Sequence, residues 1–204
     1  MHTIPLFPLN SVLFPAGELT LQVFELRYLD MLRKCIAGAQ EFGVVALLQG
    51  REVRQPGQGE TLATVGTMAR VEAWSAPQAA LLHVRCRGTS RFTIVAAEQL
   101  KNGLWMAQTA PLAPDRDVPI APELQDVAVA LGTLMRSLQQ GDTGAGQMPI
   151  SAPFRLDDCG WVANRWCELL ALDVQQKQRL LAQENPVLRL ELVSDLLAEN
   201  GLLE

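Results

Sequence analysis

Nucleophilic, metal-based or phosphate-handling chemistry would have to draw on few residues here: His2 and His83, the cysteines 35, 86, 159 and 167, and the lysines Lys34, Lys101 and Lys177. A phosphate cradle needs a glycine-rich loop running into Lys and Ser or Thr, but no G-x-x-x-x-G-K-[ST] occurs and no glycine precedes any lysine. A G-x-S-x-G elbow is absent, and two histidines leave little room for a Ser-His-Asp arrangement. A Ser-Lys peptidase would need a serine held beside a lysine whose pKa burial has lowered. Without C-x-x-C or H-x-x-x-H, the spacing of a metal site is also missing. The expectation is a protein with no catalytic residues, no metal and no cofactor.

Charge narrows the partners. The 204 residues carry a net charge of −5 with no run of Lys or Arg, which argues against nucleic acid. No apolar run approaches the ~20 residues that span a bilayer, so no membrane partner is expected. The N-terminus has no basic region leading into a signal-type apolar core, which points to the cytoplasm and to free thiols rather than disulfides. A hydrophobic content of 49% suffices for a packed core.

The elements that would position any site are legible from periodicity. Pro5, Pro8 and Pro15 lack an N–H, so 4–14 reads as an edge or interrupted strand with Leu6, Leu9 and Leu13 inward. Leu19 to Val23 alternates with period two, whereas Leu26, Leu29, Met31, Leu32 and Ile36 follow a helical rhythm, so strand becomes helix at Phe24-Glu25. Glu25 reads as a helix-start or ion-pair residue. Asp30 and Lys34, four apart, are expected to face each other on the exposed side of that helix.

Strands are expected at 42–48, 64–74, 81–87, 92–98 and 104–109, enough for a small antiparallel barrel with the 26–39 helix across one end. Gly66 and Gly88 mark places of positive φ or close backbone approach. The loop 49–60, with three glycines and four charges, reads as solvated and mobile, and 111–122, with four prolines, as the linker. A helical part follows, over 123–139, 161–172, 174–183 and 187–199, with Asp157 or Asp158, Asp173 and Asn185-Pro186 as caps and 141–153 as a flexible loop. The fold class is α+β, with a β-rich subdomain at 1–114 and a helical one at 115–204.

These segments resemble a known family. PLFPLNSVLFP at 5–15 running into LTLQVFELRYLDMLRK at 19–34, FGVV at 42–45, VGTMA at 65–69, GTSRF at 88–92, KQRLL at 177–181 and Asn185-Pro186 through Arg189-Leu190-Glu191 look, in order, like the Lon N-terminal domain. That domain is the polypeptide-binding module of the ATP-dependent Lon proteases, and it also occurs as a stand-alone protein and in cereblon-type adaptors. The resemblance implies a PUA-like barrel and a non-catalytic module that captures exposed or unfolded segments of client proteins. It does not reach the family's ATPase and peptidase segments. The alternative it leaves open is an adaptor bridging a specific partner or small ligand to proteolytic machinery, with a protease or adaptor as further partner. The zinc-bound ligand domain of cereblon-type proteins needs cysteine pairs that are missing here.

The residues that would bind polypeptide are Phe24, Glu25, Arg27 and Tyr28 at the strand-to-helix turn, and Trp161 with Trp166. The two tryptophans, five apart on one helix, do not share a strict stripe; core packing is the first reading for them, and the alternative puts at least one near the surface or the barrel interface, on the wall of an apolar groove between the barrel and the helices. Arg91 could pair with Glu25 or with another carboxylate at the barrel rim, or simply be solvated. Arg27, Arg33 and Lys34 could form a patch for acidic peptide.

Overall fold

The computed structural model describes residues 2–52, 59–78, 80–140, 150 and 152–203. The central parts of the two loops expected to be mobile, 53–58 and 141–149, lie outside the described residues. The chain divides into two compact units, 1–114 with 173–181, and 115–172 with 182–204. The stretch 173–181, which the sequence grouped with the C-terminal helices, therefore belongs with the first unit.

The first unit holds β1 (His2–Leu9), β2 (Glu18–Val23), α1 (Leu26–Gly38), β3 (Phe42–Gln49), β4 (Thr61–Gln78), β5 (Leu81–Gln99) and β6 (Trp105–Pro111). Strand order is β2-β5-β4-β3-β1-β6, with a further β5–β6 pairing, so the ladders β1–β3–β4–β5–β6 return to β1. The sheet is mixed rather than purely antiparallel: β1 and β3 run parallel, Leu6 opposite Gly43 through Leu9 opposite Ala46. A parallel neighbour requires a crossover of a dozen or more residues, and β2 with α1 supplies it.

Nor is β1 an edge. Residues 6–9 face β3 and residues 2–6 face β6. Because the neighbours use different halves of the strand, Pro5 and Pro8 can each turn the side without an N–H away from a ladder. β5 runs unbroken where two strands were expected, because Gly88 lets the Phe14 backbone come close enough that a Cβ there would meet the Phe14 carbonyl. Gly66 and Gly43 clear space for Phe92, whose Cζ would lie 2.5 and 2.8 Å from their added Cβ atoms. These glycines serve close approach.

One apolar cluster gathers Phe7, Tyr28, Leu32, Phe42, Val84 and Cys86 around the inner face of α1, and a second gathers Leu6, Val45, Ala63 and Phe92. In the same unit α4 (Val174–Ala182) begins with a reciprocal cap, Asp173 Oδ1 accepting from Gln176 N at 2.7 Å and Gln176 Oε1 from Asp173 N at 3.0 Å. Gln178 Nε2 then donates to Val65 O at 2.8 Å, and Arg91 donates to Leu181 O at 2.8 Å.

The second unit contains α2 (Gln125–Gln140), α3 (Cys159–Leu169) and α5 (Pro186–Glu199). Asp158 caps α3 by accepting from Trp161 N, and Asn185 caps α5 by accepting from Val187 N and Leu188 N. Arg189, fully buried, is held by Asp115 at 2.6 and 3.2 Å, by Asn164 Oδ1 at 3.1 Å and by the Gln183 carbonyl. Such a buried cation persists only where paired and hydrogen-bonded. Among the described residues, no helix is long and apolar enough to cross a membrane.

Candidate functional site

The strand-to-helix turn splits its residues between interior and surface by simple parity. In β2, Val23 is buried while Thr20 and Gln22 are exposed, and Phe24 continues the outward set at 60% exposure. Leu26 was expected in the apolar stripe of α1. It is instead the first helical residue and lies in line with Asp30 and Arg33, four and seven residues on, which also face out. It is 69% exposed. Two large apolar side chains thus stand in water on either side of Glu25.

Arg27 and Tyr28 go the other way. The Tyr28 ring stacks on Phe7 at 4.1 Å between centroids, and the Arg27 guanidinium lies 4.4 Å above the Tyr28 ring. Arg27 donates to Glu25 Oε2 at 3.1 Å, to Gly103 O at 2.6 Å and to Glu52 O at 3.4 Å. It is therefore a buried, committed cation that ties α1 to the loops at 52 and 103. Burial raises the Tyr28 hydroxyl well above its usual range; Arg27 opposes this, and the carboxylates of Glu25, Glu60 and Glu52 add to it.

A small cleft of about 90 Å³ opens at this turn, lined by Phe7, Leu9, Val23, Phe24, Tyr28 and Glu52 among others. It is far below the ~300 Å³ of a small-molecule site and suits one side chain. A larger cleft of about 520 Å³ in the first unit is bordered by His2, Glu41 and Arg91, but Arg91 is already held by the Leu181 and Ala113 carbonyls. In the second unit a cleft of about 410 Å³ runs along α2 past Val129, Gly132, Arg136 and Phe154.

Trp161 and Trp166 are both buried, at 6% and 5% exposure, so the core reading holds and the groove-wall alternative needs correction. Trp166 Nε1 donates to Val127 O at 3.0 Å, and Trp161 meets Phe154 edge-on and Arg165 through its ring face. With its N–H satisfied inside, Trp166 has no call on water. Glu25 pairs with Arg27, not with Arg91. Asp30 lies 3.8 Å from Arg33 rather than facing Lys34. With Arg27 buried and Arg33 beside Asp30, the basic patch for acidic peptide does not form.

Sequence reasoning missed Glu52, which reaches the turn from a loop 25 residues beyond Arg27, and Glu60 at the far end of that loop. Glu52 Oε1 accepts from Asn10 N at 2.5 Å, and Glu60 Oε2 accepts from Trp105 Nε1 at 2.5 Å and from Gln99 Nε2 at 3.2 Å. No local pattern could have shown this. Among the described residues no cluster of His, Cys, Asp and Glu is placed to hold a metal ion. The cysteines are free and buried, and burial is the first cause that raises Cys35, Cys86 and Cys159.

Comparison with known proteins adds a direction. A family model described as the ATP-dependent protease La (LON) substrate-binding domain matches residues 3–199. A Lon protease of Anaeromyxobacter dehalogenans (strain 2CP-C) is 26% identical over 198 residues, covering 95% of this chain but 23% of its own length. The crystal structure of a Lon N-terminal domain protein from Xanthomonas campestris is 32% identical, with a TM-score of 0.75 over 96% of this chain and 98% of that one. The N-terminal domain of a Mycobacterium avium complex Lon protease shares the fold at 15% identity, with a TM-score of 0.65 over 97% and 99% of the two chains.

Proposed function

Because the chain belongs to the family of ATP-dependent protease La (Lon) substrate-binding domains, we propose that it is a non-catalytic module that captures exposed or unfolded segments of other polypeptides. The matched part is a substrate-binding domain, and the chain spans about a quarter of the length of the Lon protease it matches, so no catalysis is transferred. The closed circuit of ladders reads as the small barrel of this reading, with α1 laid against it. The cytoplasm remains the proposed location, with no nucleic acid or membrane as partner.

One observation carries the site: Phe24 and Leu26 stand exposed on either side of the half-buried Glu25, above a cleft floored by Phe7 and Tyr28. Keeping two large apolar side chains in water gives up roughly 1.5–3 kcal/mol each relative to burial, which a client's apolar segment can recover. Glu25 belongs to this surface, while Arg27 and Tyr28 support it from beneath. Trp161 and Trp166 act as core.

The test is titration of a reduced, alkylated and permanently unfolded protein into the purified chain. Saturable binding at micromolar concentration supports the reading, and absence of binding at high micromolar concentration contradicts it. A single tightly held folded partner, with no affinity for unfolded chains, would favour the adaptor role.

A further inference from the structure

The charge around the exposed pair is lopsided. Glu25, Glu52 and Glu60 are half-buried carboxylates whose charges all reach Tyr28, and among the described residues the cation acting on Tyr28 with them is Arg27, buried and bound to Glu25, Gly103 and Glu52. Among the described residues, the hydrogen-bond donors to Glu52 and Glu60 are neutral: the Asn10 backbone amide, the Trp105 indole and the Gln99 amide. Among the described residues, three carboxylates and one arginine act on Tyr28, and Glu25 and Glu52 line the cleft beside it, in a chain whose net charge is already −5. Partly desolvated charges of this kind are screened less by salt than surface charges and select a partner of opposite sign.

We infer that the client segments preferred at this turn place a lysine or arginine beside the apolar side chain that meets Phe24 and Leu26. This rests on the polypeptide-binding reading above and gives it a substrate class, apolar-and-basic. A second copy of the chain is a poor occupant, because a two-fold contact through this face would set the three carboxylates against their own symmetry mates.

The experiment compares two fluorescent peptides of the same apolar content, one with lysines flanking a central Leu-Phe pair and one with glutamates at those positions. A third arm titrates a reduced, alkylated unfolded protein. The lysine peptide is expected to bind about five- to tenfold more tightly at low salt, with the preference shrinking in 0.5 M NaCl. In the double variant Glu52→Gln/Glu60→Gln, whose amide oxygens still accept from Asn10, Trp105 and Gln99, the preference should fall severalfold while circular dichroism stays unchanged.

Equal affinity for the two peptides, or a preference untouched by the double variant, overturns the inference. If the unfolded protein still binds, the broader reading survives that result; if no arm binds, both fall. A concentration-dependent dimer in sedimentation equilibrium, lost in Phe24→Ala/Leu26→Ala, would put a second copy on this face and overturn the inference as well.

Discussion

Phe24 just precedes a helix and Trp166 lies within one, yet the first aromatic is mostly in water and the second almost wholly enclosed. The difference lies in backbone periodicity and in partners for polar atoms. Phe24 inherits the outward side of a period-two strand whose alternate residues, Leu19, Leu21 and Val23, pack inward. Trp166 sits on α3, whose residues 159–167 are all buried, and its indole N–H finds the Val127 carbonyl. A helix buried around its whole circumference has no surface stripe to offer a client. Aromatic content alone therefore does not mark a binding surface.

Substitutions can break this contrast. Trp166→Ala opens a cavity and removes the indole donor to the Val127 carbonyl, so it should cost about 3–5 kcal/mol in urea denaturation. Arg27→Ala comes next at about 2–3 kcal/mol, because it removes three hydrogen bonds beneath the turn and leaves Glu25 without its cation. The smallest effect on stability, within about 0.5 kcal/mol, belongs to Phe24→Ala/Leu26→Ala, which nevertheless should lose most affinity for unfolded polypeptide. If that double variant unfolds the protein, or Trp166→Ala leaves stability untouched, the contrast fails.

The core beneath the turn gives a pH-dependent version of the comparison. Burial, with smaller contributions from Glu72 and Cys35, pushes the Cys86 thiol up to about 12 from an ordinary value of 9.0. Below pH 9 both folded and unfolded chains keep this proton. Between pH 9 and about 12 only the unfolded chain releases it, so stability should fall across that window. Tyr28, also raised, adds to the fall above its ordinary 10.0. Urea midpoints from pH 8 to 11 should decline, and less steeply in Cys86→Ala.

Much of the architecture was legible in local pattern. The switch of period at Phe24-Glu25 located α1, and Asp158, Asp173 and Asn185 each cap the helix that follows. What escaped was non-local. The parallel β1–β3 ladder depends on how the crossover returns, and the unbroken β5 depends on Gly88 meeting Phe14 from another segment. At the site, Phe24 and Glu25 were visible as neighbours in sequence, whereas Leu26 was lost by one position of helical phase. Glu52 and Glu60 could not be placed at all, since only the folded sheet brings Glu52 to the cleft beside Tyr28 and Glu60 to Trp105 and Gln99.

The most direct measurement is amide hydrogen exchange on the free chain and on the chain saturated with a permanently unfolded polypeptide. Client binding through the exposed turn predicts slower exchange from the end of β2 through the first turn of α1, around Val23 to Leu29, with α3 unchanged. Protection confined to α3, or to the cleft along α2, with the β2–α1 turn exchanging as in the free chain, would contradict it.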